Sequence, residues 1–327
     1  MKREPFVAAR EARWKALEQL LESLAKPKLR RAEHADVAQF PRWYRQVCQD
    51  LALARRRMYG RELALRLNHI ALAGRDQLYK APVRTLAEVT EFAARGFPRL
   101  VRSEAKLLWV STAVFLVPAL IVGSIAMVRP DLLYAIVDIE SLQEAERMYD
   151  PDSRTIEDAR DASGNVAMFA FYVKHNVGID FQIFAGGLPF GLGSILFLAL
   201  NGVHLGAIVG HFLTIGYERT LFPFVVGHSS FELTAMLIAG VAGLRLGAVL
   251  VAPGRRSRRR ALIDIGPHCL KLALGAGAMT VLAAFIEGFW SAQPLPPSVK
   301  YAVGAVLWSL VVVYLVFAGR SGESRTR

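Results

Sequence analysis

Polar side chains that can do acid–base or metal chemistry stand inside an apolar part of this chain. His228 and Glu232 are four residues apart, which puts them on one face of a helix. An imidazole beside a carboxylate can bind a metal ion or transfer a proton. Polar groups at membrane depth are costly and usually functional, so this stretch is the first place to look for an activity. The stretch from Asn176 to Gly247 also contains Asn201, His204 and His211.

These side chains allow a chemical and a structural interpretation. His204 and His211 are seven residues apart and share a helix face, so together with His228 and Glu232 they offer four zinc ligands, although no H-E-x-x-H signature is present. In the structural interpretation, which we favour, His228 and Glu232 hydrogen-bond between helices or cap a helix that begins near Gly227. Arg245 and Glu287 then extend toward water from the ends of their spans.

Composition separates a polar head from a membrane body. The chain has 327 residues and is 53% hydrophobic, yet it carries 40 Lys and Arg against 28 Asp and Glu. Residues 1–106 hold 23 basic and 12 acidic residues, whereas long runs almost free of charge follow Leu107. We therefore predict an all-α, polytopic membrane protein with a cytoplasmic, basic helical region at 1–106 and a membrane domain at 107–327. Helical periodicity in the head covers 6–25, 43–57, 61–80 and 84–95.

Charge then predicts how the membrane domain crosses the bilayer. Apolar spans cover 107–128, 225–251, 266–290 and 298–319, and the loop at 129–180 is acidic. Basic loops face the cytoplasm, so this loop lies outside and both termini lie on the cytoplasmic side. The segment 181–216 must then cross twice, with a turn at Asn201-Gly202, or re-enter, which gives about six crossings. Residues 161–180 fit an amphipathic helix on the outer surface.

Regularly spaced glycines indicate close helix packing. Two series lie within the membrane domain, and a helix face without side chains lets a second helix approach closely. We interpret both as packing rather than substrate contacts. The series are Gly202, Gly206 and Gly210, and Gly240, Gly243 and Gly247.

Several function classes receive no support from the sequence. Cys48 and Cys269 are far apart and form neither a disulfide framework nor a zinc cluster. The basic excess fits arginines beside membrane spans better than nucleic-acid binding. No nucleotide, haem or nucleophile motif is present, so we expect no cofactor, no enzymatic activity and membrane lipid as the surrounding partner, with a homo-oligomer left open.

The motifs of the 176–247 stretch resemble the stage II sporulation protein M family, in its long form from non-sporulating bacteria. The resemblance extends over nearly the whole chain and assigns Asn176, Asn201, Gly202, His228 and Glu232 to the family's motifs, without giving them a chemical role. It is carried by His175-Asn176, Gly191-x-Gly193-Ser194, Asn201-Gly202-x-x-Leu205-Gly206, Gly227-His228-x-x-x-Glu232-Leu233 and the run from Ile238 to Gly247. In the head, Asp50-Leu51-Ala52-x-Ala54-Arg55 and Leu67-Asn68 resemble the long members.

The resemblance implies a non-enzymatic scaffold in cell-envelope processes. Family members of spore formers resemble scaffolds that gather peptidoglycan-degrading enzymes, and the long members are associated with a MoxR-type AAA ATPase system. We therefore expect peptidoglycan-remodelling proteins or such an ATPase as partners. Two alternatives stay open: a transporter or ion-handling protein, and an intramembrane metal-dependent hydrolase that uses His228 and Glu232.

Overall fold

The structure, a computed structural model, describes residues 3–25, 34–78, 86–133, 137–152 and 162–320. Its described residues form helices and turns without a strand, which confirms the predicted all-α class. The chain divides into two compact units, Met1–Thr85 and Leu86–Arg327. This division falls earlier than residue 106, because the helices over 86–103 pack within the second unit.

The first unit is a small helical bundle with a core of its own. It contains α1 (Arg3–Ala8), α2 (Glu11–Ala25), α3 (His34–Arg56) and α4 (Arg61–Leu78). Helix α3 starts nine residues before the predicted segment and continues through Pro41. The apolar face of each helix points inward, as the periodicity predicts. The largest buried side chains are Phe6, Trp14, Leu17, Leu67 and Ile70.

Charged side chains join the helices of the first unit. The buried Asp50 carboxylate on α3 accepts from Trp14 Nε1 at 3.0 Å and from Arg10 Nε at 2.9 Å. The Arg66 guanidinium on α4 donates to both Glu18 oxygens, at 3.0 and 2.8 Å, and to Glu11 at 2.8 Å. The hydrogen bonds to Glu18, and to a smaller extent those to Glu11, raise the pKa of the Arg66 guanidinium. The pairing is two-pronged and partly buried, so it fixes α4 against α2.

Long apolar helices make up the second unit. Among the described residues, five helices are long and apolar enough to cross a membrane: α7, α11, α12, α13 with its π-helical extension, and α14. The helices are α5 (Leu86–Glu91), a π-helical turn (Phe92–Gly96), α6 (Phe97–Ser103), α7 (Ala105–Val128), α8 (Pro130–Leu133), α9 (Ile139–Tyr149), α10 (Ala162–Ala185), α11 (Leu192–Ile215), α12 (Glu218–Val251), α13 (Arg258–Ile286), a second π-helical turn (Glu287–Ser291) and α14 (Pro297–Phe317).

Helix α12 is the central element of the second unit, and α7, α10, α11, α13 and α14 all pack against it. One end of the unit carries α9 and the starts of α12 and α14, and we call it the α9 end. The opposite end carries α6 and the starts of α7, α11 and α13, and we call it the α6 end. The outer helices expose apolar side chains of the kind that lipid solvates, such as Trp109, Leu120, Leu196, Leu282 and Val312.

The predicted turn at Asn201-Gly202 is wrong. Both residues lie in the middle of α11, and the chain turns instead over residues 186–191, where Phe190 and Gly191 have φ of 57° and 84°. Asn201 does not break the helix because its side-chain amide donates to Phe197 O within α11, at 2.8 Å. Gly202 serves close packing rather than a turn.

The predicted surface helix over 161–180 is also wrong. From Ala162, α10 runs through the height of the unit: Phe169 packs against Gly288 at the α9 end, and Gly187, just after α10, lies against Gly243 toward the α6 end. The sequence did not predict α10 as a membrane span because polar residues interrupt its apolar run. Its 24 residues are nevertheless long enough to cross the hydrocarbon core of a bilayer. Residues 134–136 and 153–161 of the predicted acidic loop lie outside the described residues.

Glycines bring α7 and α11 into backbone contact. A Cβ on Gly202, Gly206 or Gly210 would collide with the backbone of Phe115, Ala119 or Gly123, in that order. The residue numbers of the contacting partners increase in the same direction on both helices, so α7 and α11 run parallel. Helix α10, which lies between them in the chain, runs in the opposite direction. Lipid gives no hydrophobic drive for helices to associate, so this approach supplies van der Waals contact instead.

We expect Arg66→Met to lower the free energy of unfolding of the first unit by about 1 kcal/mol, because it leaves Glu11 and Glu18 without their shared partner. Arg75→Met is the matched control, since Arg75 pairs only with its exposed neighbour Asp76. Hydrogen exchange of the amides in α2 and α4, measured on the full chain, reports both changes. Equal exchange in the two variants would contradict the role given to Arg66.

We expect Gly206→Ala to destabilise the second unit by about 1–3 kcal/mol, because its Cβ would overlap the Ala119 backbone. Gly277→Ala should be neutral or stabilising, since nothing lies within 4 Å of that position and alanine favours helix. Thermal unfolding in detergent measures both. A midpoint for Gly206→Ala as high as that for Gly277→Ala would argue against close packing between α7 and α11.

Candidate functional site

His228 and Glu232 face each other in the half of α12 nearer the α9 end. Their nearest atoms, His228 Nε2 and Glu232 Oε2, are 3.7 Å apart, too far for a hydrogen bond. His228 is buried, and Glu232 keeps about a quarter of its side chain exposed. His228 lies ten residues into α12, which is about 15 Å along the helix axis. The pair is therefore well inside the apolar part of the unit.

Glu287 and Ser291 complete this cluster from α13. One ligand-type atom from each of His228, Glu232 and Glu287 lies within 4.8 Å of the others. On the other side of the imidazole, His228 Nδ1 is 3.0 Å from Ser291 Oγ. The expected extension of Glu287 toward water is wrong, since only 8% of this residue is exposed. It turns inward because the π-helical turn that begins at Glu287 directs it toward α12.

Aromatic side chains and a lysine cover the cluster at the α9 end. The Phe224 ring packs edge-on against the His228 ring, with centroids 5.5 Å apart, and Tyr149 packs edge-on against Phe224 at 5.7 Å. The buried Lys300 ammonium donates to Ser291 O at 3.0 Å. Burial, followed by the negative charge of Glu287, raises the pKa of the Tyr149 phenol, so this hydroxyl stays protonated near the carboxylates.

Two contacts attach α9 to the membrane helices. His211 Nε2 on α11 is 2.6 Å from Glu146 Oε1 on α9. The Thr220 hydroxyl on α12 donates to Tyr149 O. His211 is thus engaged with α9 and is absent from the cluster of His228, and His204 is exposed on α11. The four-ligand zinc site composed of His204, His211, His228 and Glu232 is not formed.

The remaining polar residues predicted at this depth are dispersed. Asn176 is buried on α10, and His175 stacks on Phe171 with ring centroids 5.7 Å apart. Asp180 on the same helix accepts from the Thr280 hydroxyl on α13, a buried pair between helices. The Asp180–Thr280 bond joins α10 to α13, whereas the His175–Phe171 stack lies within α10.

The second glycine series packs α12 against α7, α10, α11 and the turn between α10 and α11. Gly240 lies against Ser111 and Leu198, and Ser111 Oγ donates to Leu237 O at 2.8 Å. A Cβ on Gly243 would lie 2.7 Å from Ile183 O, and Ser194 Oγ donates to that same carbonyl at 2.6 Å. Gly247 contacts the backbone of Gly191.

An ionic group that sequence reasoning missed lies toward the α6 end. Glu104, at the junction of α6 and α7, has Oε1 3.2 Å from Arg245 Nε and 2.8 Å from His268 Nε2. The N–H directions are poorly aligned, so these are charge contacts rather than hydrogen bonds. Arg245 therefore lies against a buried carboxylate and still keeps 39% of its side chain exposed. The only sequence signal was an acidic residue directly before an apolar span.

The cluster of His228, Glu232 and Glu287 is the chemically distinctive group among the described residues. Its imidazole and two carboxylates offer lone pairs, and the Ser291 hydroxyl and the Lys300 ammonium lie beside them. Such a group can hold a cation or exchange a proton. Here two sequence-predicted residues, His228 and Glu232, meet a further ionisable side chain, Glu287, inside the membrane unit.

Comparison with known proteins places these features in one family. The family model for stage II sporulation protein M matches residues 111–292, more than half of the chain, and a domain of unknown function (DUF8413) matches residues 4–80. An uncharacterized protein of Methanocaldococcus jannaschii is 31% identical over 122 residues, which cover 36% of this chain and 68% of that protein. No solved structure matches. The chain belongs to the stage II sporulation protein M family.

Proposed function

We propose that this protein is a scaffold of the bacterial inner membrane, which holds partner proteins of cell-envelope processes and has no catalytic turnover of its own. The observation that carries the proposal is the first unit, a bundle with its own core and its own family match, attached to the membrane unit. A chain built from two separately stabilised units offers two independent binding surfaces. That organisation suits a protein that connects partners.

An open groove in the first unit is the surface we assign to a cytoplasmic partner. It has a volume of about 520 Å³ and lies between α2 and α4. Its apolar floor includes Leu21 and Ile70, and acidic residues stand along its sides. A basic segment with apolar anchors fits such a groove. The expected partner is a protein of a MoxR-type AAA ATPase system, which the family resemblance suggests.

Charge assigns the two ends of the membrane unit to the two sides of the membrane. The α6 end carries Arg255, Arg256 and Arg258–Arg260 between α12 and α13, whereas α9 carries Glu140, Glu144 and Glu146. The positive-inside rule then puts the α6 end and both termini in the cytoplasm. The α9 end faces outward, where peptidoglycan-remodelling proteins are the expected partners.

We expect a photo-crosslinking amino acid at Gln77, in the groove, to capture a protein partner in the native host. The same amino acid at Glu62, exposed on α4 outside the groove, is the matched control. The substitutions Glu22→Lys and Asp76→Lys should remove the adduct, while Glu4→Lys with Glu62→Lys should not. Mass spectrometry identifies the adducts. Equal capture at Gln77 and Glu62, or none in cells, would contradict a docking groove.

We expect a cysteine at Glu140 to react with a membrane-impermeant maleimide in intact spheroplasts, and a cysteine at Arg255 to react only after lysis. Cys48→Ala removes the half-buried native thiol, and Cys269 is fully buried in the core. Labelling is followed by gel shift. The opposite pattern would invert the proposed orientation, and labelling of both positions before lysis would invalidate it.

A further inference from the structure

Lone pairs converge at the cluster between α12 and α13. Neither His228 Nε2 nor the Glu232 carboxylate makes a hydrogen bond among the described residues, although they are 3.7 Å apart. Ligand-type atoms of Glu232 and Glu287 lie within 4.8 Å of His228 and of each other. Ionised carboxylates only accept hydrogen bonds. Acceptor groups of this kind beside a ring nitrogen can share one bound cation, while the Lys300 ammonium, bonded to Ser291 O, supplies positive charge at the edge of the cluster.

Ser291 Oγ is the hydrogen-bond partner of His228 Nδ1, at 3.0 Å. In the tautomer in which Nδ1 donates to this oxygen, the lone pair stands on Nε2, toward Glu232. Metal-binding histidines usually donate their other ring N–H to such a partner, which orients the ring and raises its basicity. In this tautomer His228 has that arrangement.

The π-helical turn Glu287–Ser291 positions two side chains of the site. It brings Glu287 and Ser291, four residues apart, to the same histidine. Single π-helical turns within long helices are rare and frequently occur at functional sites. The close contact of Gly227 with Trp290 on the same turn shows that α12 and α13 are fitted to each other here.

We propose that His228, Glu232 and Glu287 bind a first-row divalent transition-metal ion, with zinc as the test metal. An imidazole nitrogen and two carboxylates supply three ligand atoms, and the charge of the carboxylates favours a divalent over a monovalent cation. Mixed imidazole and carboxylate ligands suit zinc and its neighbours. The proposal is independent of the scaffold function, since a metal can clamp two helices in a protein with or without partners.

The measured geometry is close to that of a three-ligand zinc site. Ligand atoms about 2.1 Å from a tetrahedral ion stand about 3.4 Å apart. The separation of His228 Nε2 and Glu232 Oε2 is 3.7 Å, and one ligand-type oxygen of Glu287 lies within 4.8 Å of ligand atoms of both residues. Three protein ligands leave a fourth position open, as in zinc sites that retain water or bind a further group.

A pocket at the α9 end is lined by Phe224, the ring that covers His228, and this ring couples the cluster to α9. The volume of the pocket is about 90 Å³, and Asp150, Phe224 and Lys300 are among its lining residues. Phe224 touches the His228 ring, and Tyr149 of α9 packs on Phe224. A metal that holds His228 in place therefore also fixes the surface on which Tyr149 rests. Metal binding should slow hydrogen exchange in α9.

The experiment uses the full chain, purified without a polyhistidine tag, stripped with a chelator and reloaded with zinc. Elemental analysis should give about one zinc per chain, and zinc should raise the thermal midpoint and protect α9 from exchange. Glu287→Gln and His228→Gln should lose the stoichiometric zinc. Ser291→Ala should keep the ligands but bind about 10- to 100-fold more weakly.

His204→Gln is the matched control, because it removes an exposed histidine of the same unit and should leave zinc binding unchanged. Cobalt substitution adds a spectroscopic check, since a tetrahedral site gives intense visible absorption that Glu287→Gln should abolish. If a ligand variant fails to fold, Ser291→Ala still tests the site. Wild-type protein without zinc after reloading, or Glu287→Gln and His228→Gln that bind as much as wild type, would overturn the proposal.

Discussion

Close approach of helix backbones is the constraint on which the membrane unit depends. Lipid chains are as apolar as leucine, so burial of side chains gives little net drive for helices to associate in a bilayer. The contacts of α12 show the alternative: Gly243 and Gly247 lie against the turn between α10 and α11, with serine hydroxyls bonded to neighbouring carbonyls. Each such contact is short-ranged, and a single methyl group on either side would separate the helices.

This packing decides where polar groups can stand. Helices in contact over their glycine faces leave little room for water, so charged groups between them must meet each other. Among the described residues, Glu104 meets Arg245 toward the α6 end, and His228 meets Glu232 and Glu287 in the half of the unit nearer the α9 end, where the Lys300 ammonium also lies. The first group offers a single carboxylate to two basic partners. The second brings two carboxylates and an imidazole together with the spacing of metal ligands, which is why a cation is expected there and not at Glu104.

The sequence predicted the spans and the head but not how they join. Apolar runs located α7, α12, α13 and α14 to within a few residues at most ends, because composition determines which helices can lie in lipid. The sequence predicted the turn at Asn201-Gly202, whereas the chain turns at Gly191. Turn propensity alone does not reveal that Gly202 is a packing residue, which contacts Phe115. Helix α10 was missed as a crossing because Lys174 and Asp180 lower its hydropathy, while Asp180 is satisfied by Thr280.

The sequence predicted that His228 and Glu232 lie together, but the third residue of the site could be found only from the way α12 and α13 are aligned. The spacing of His228 and Glu232 puts them on one face of α12 whatever the tertiary structure. Glu287 is different, because a symmetric hairpin about residues 252–257 would bring Val281 opposite His228. The π-helical turn and the shift of α13 along α12 bring Glu287 there instead. No local pattern encodes this shift, since it results from contacts such as Gly227 with Trp290.

The family match covers only part of the membrane unit, and we call the matched part the core. Residues 111–292 contain every ligand of the cluster and both glycine series, whereas α6 and α14 lie outside the match. These two helices are joined by Arg102, whose guanidinium donates to Leu315 O at 2.7 Å and Ala318 O at 2.8 Å. Arginine there satisfies the unpaired carbonyls at the end of α14 and complements its dipole. Helix α14 also packs along its length against the core, since Gly304 lies against Val226 of α12. The core of this chain is therefore fitted, on its α14 side, to a helix that the family match does not include.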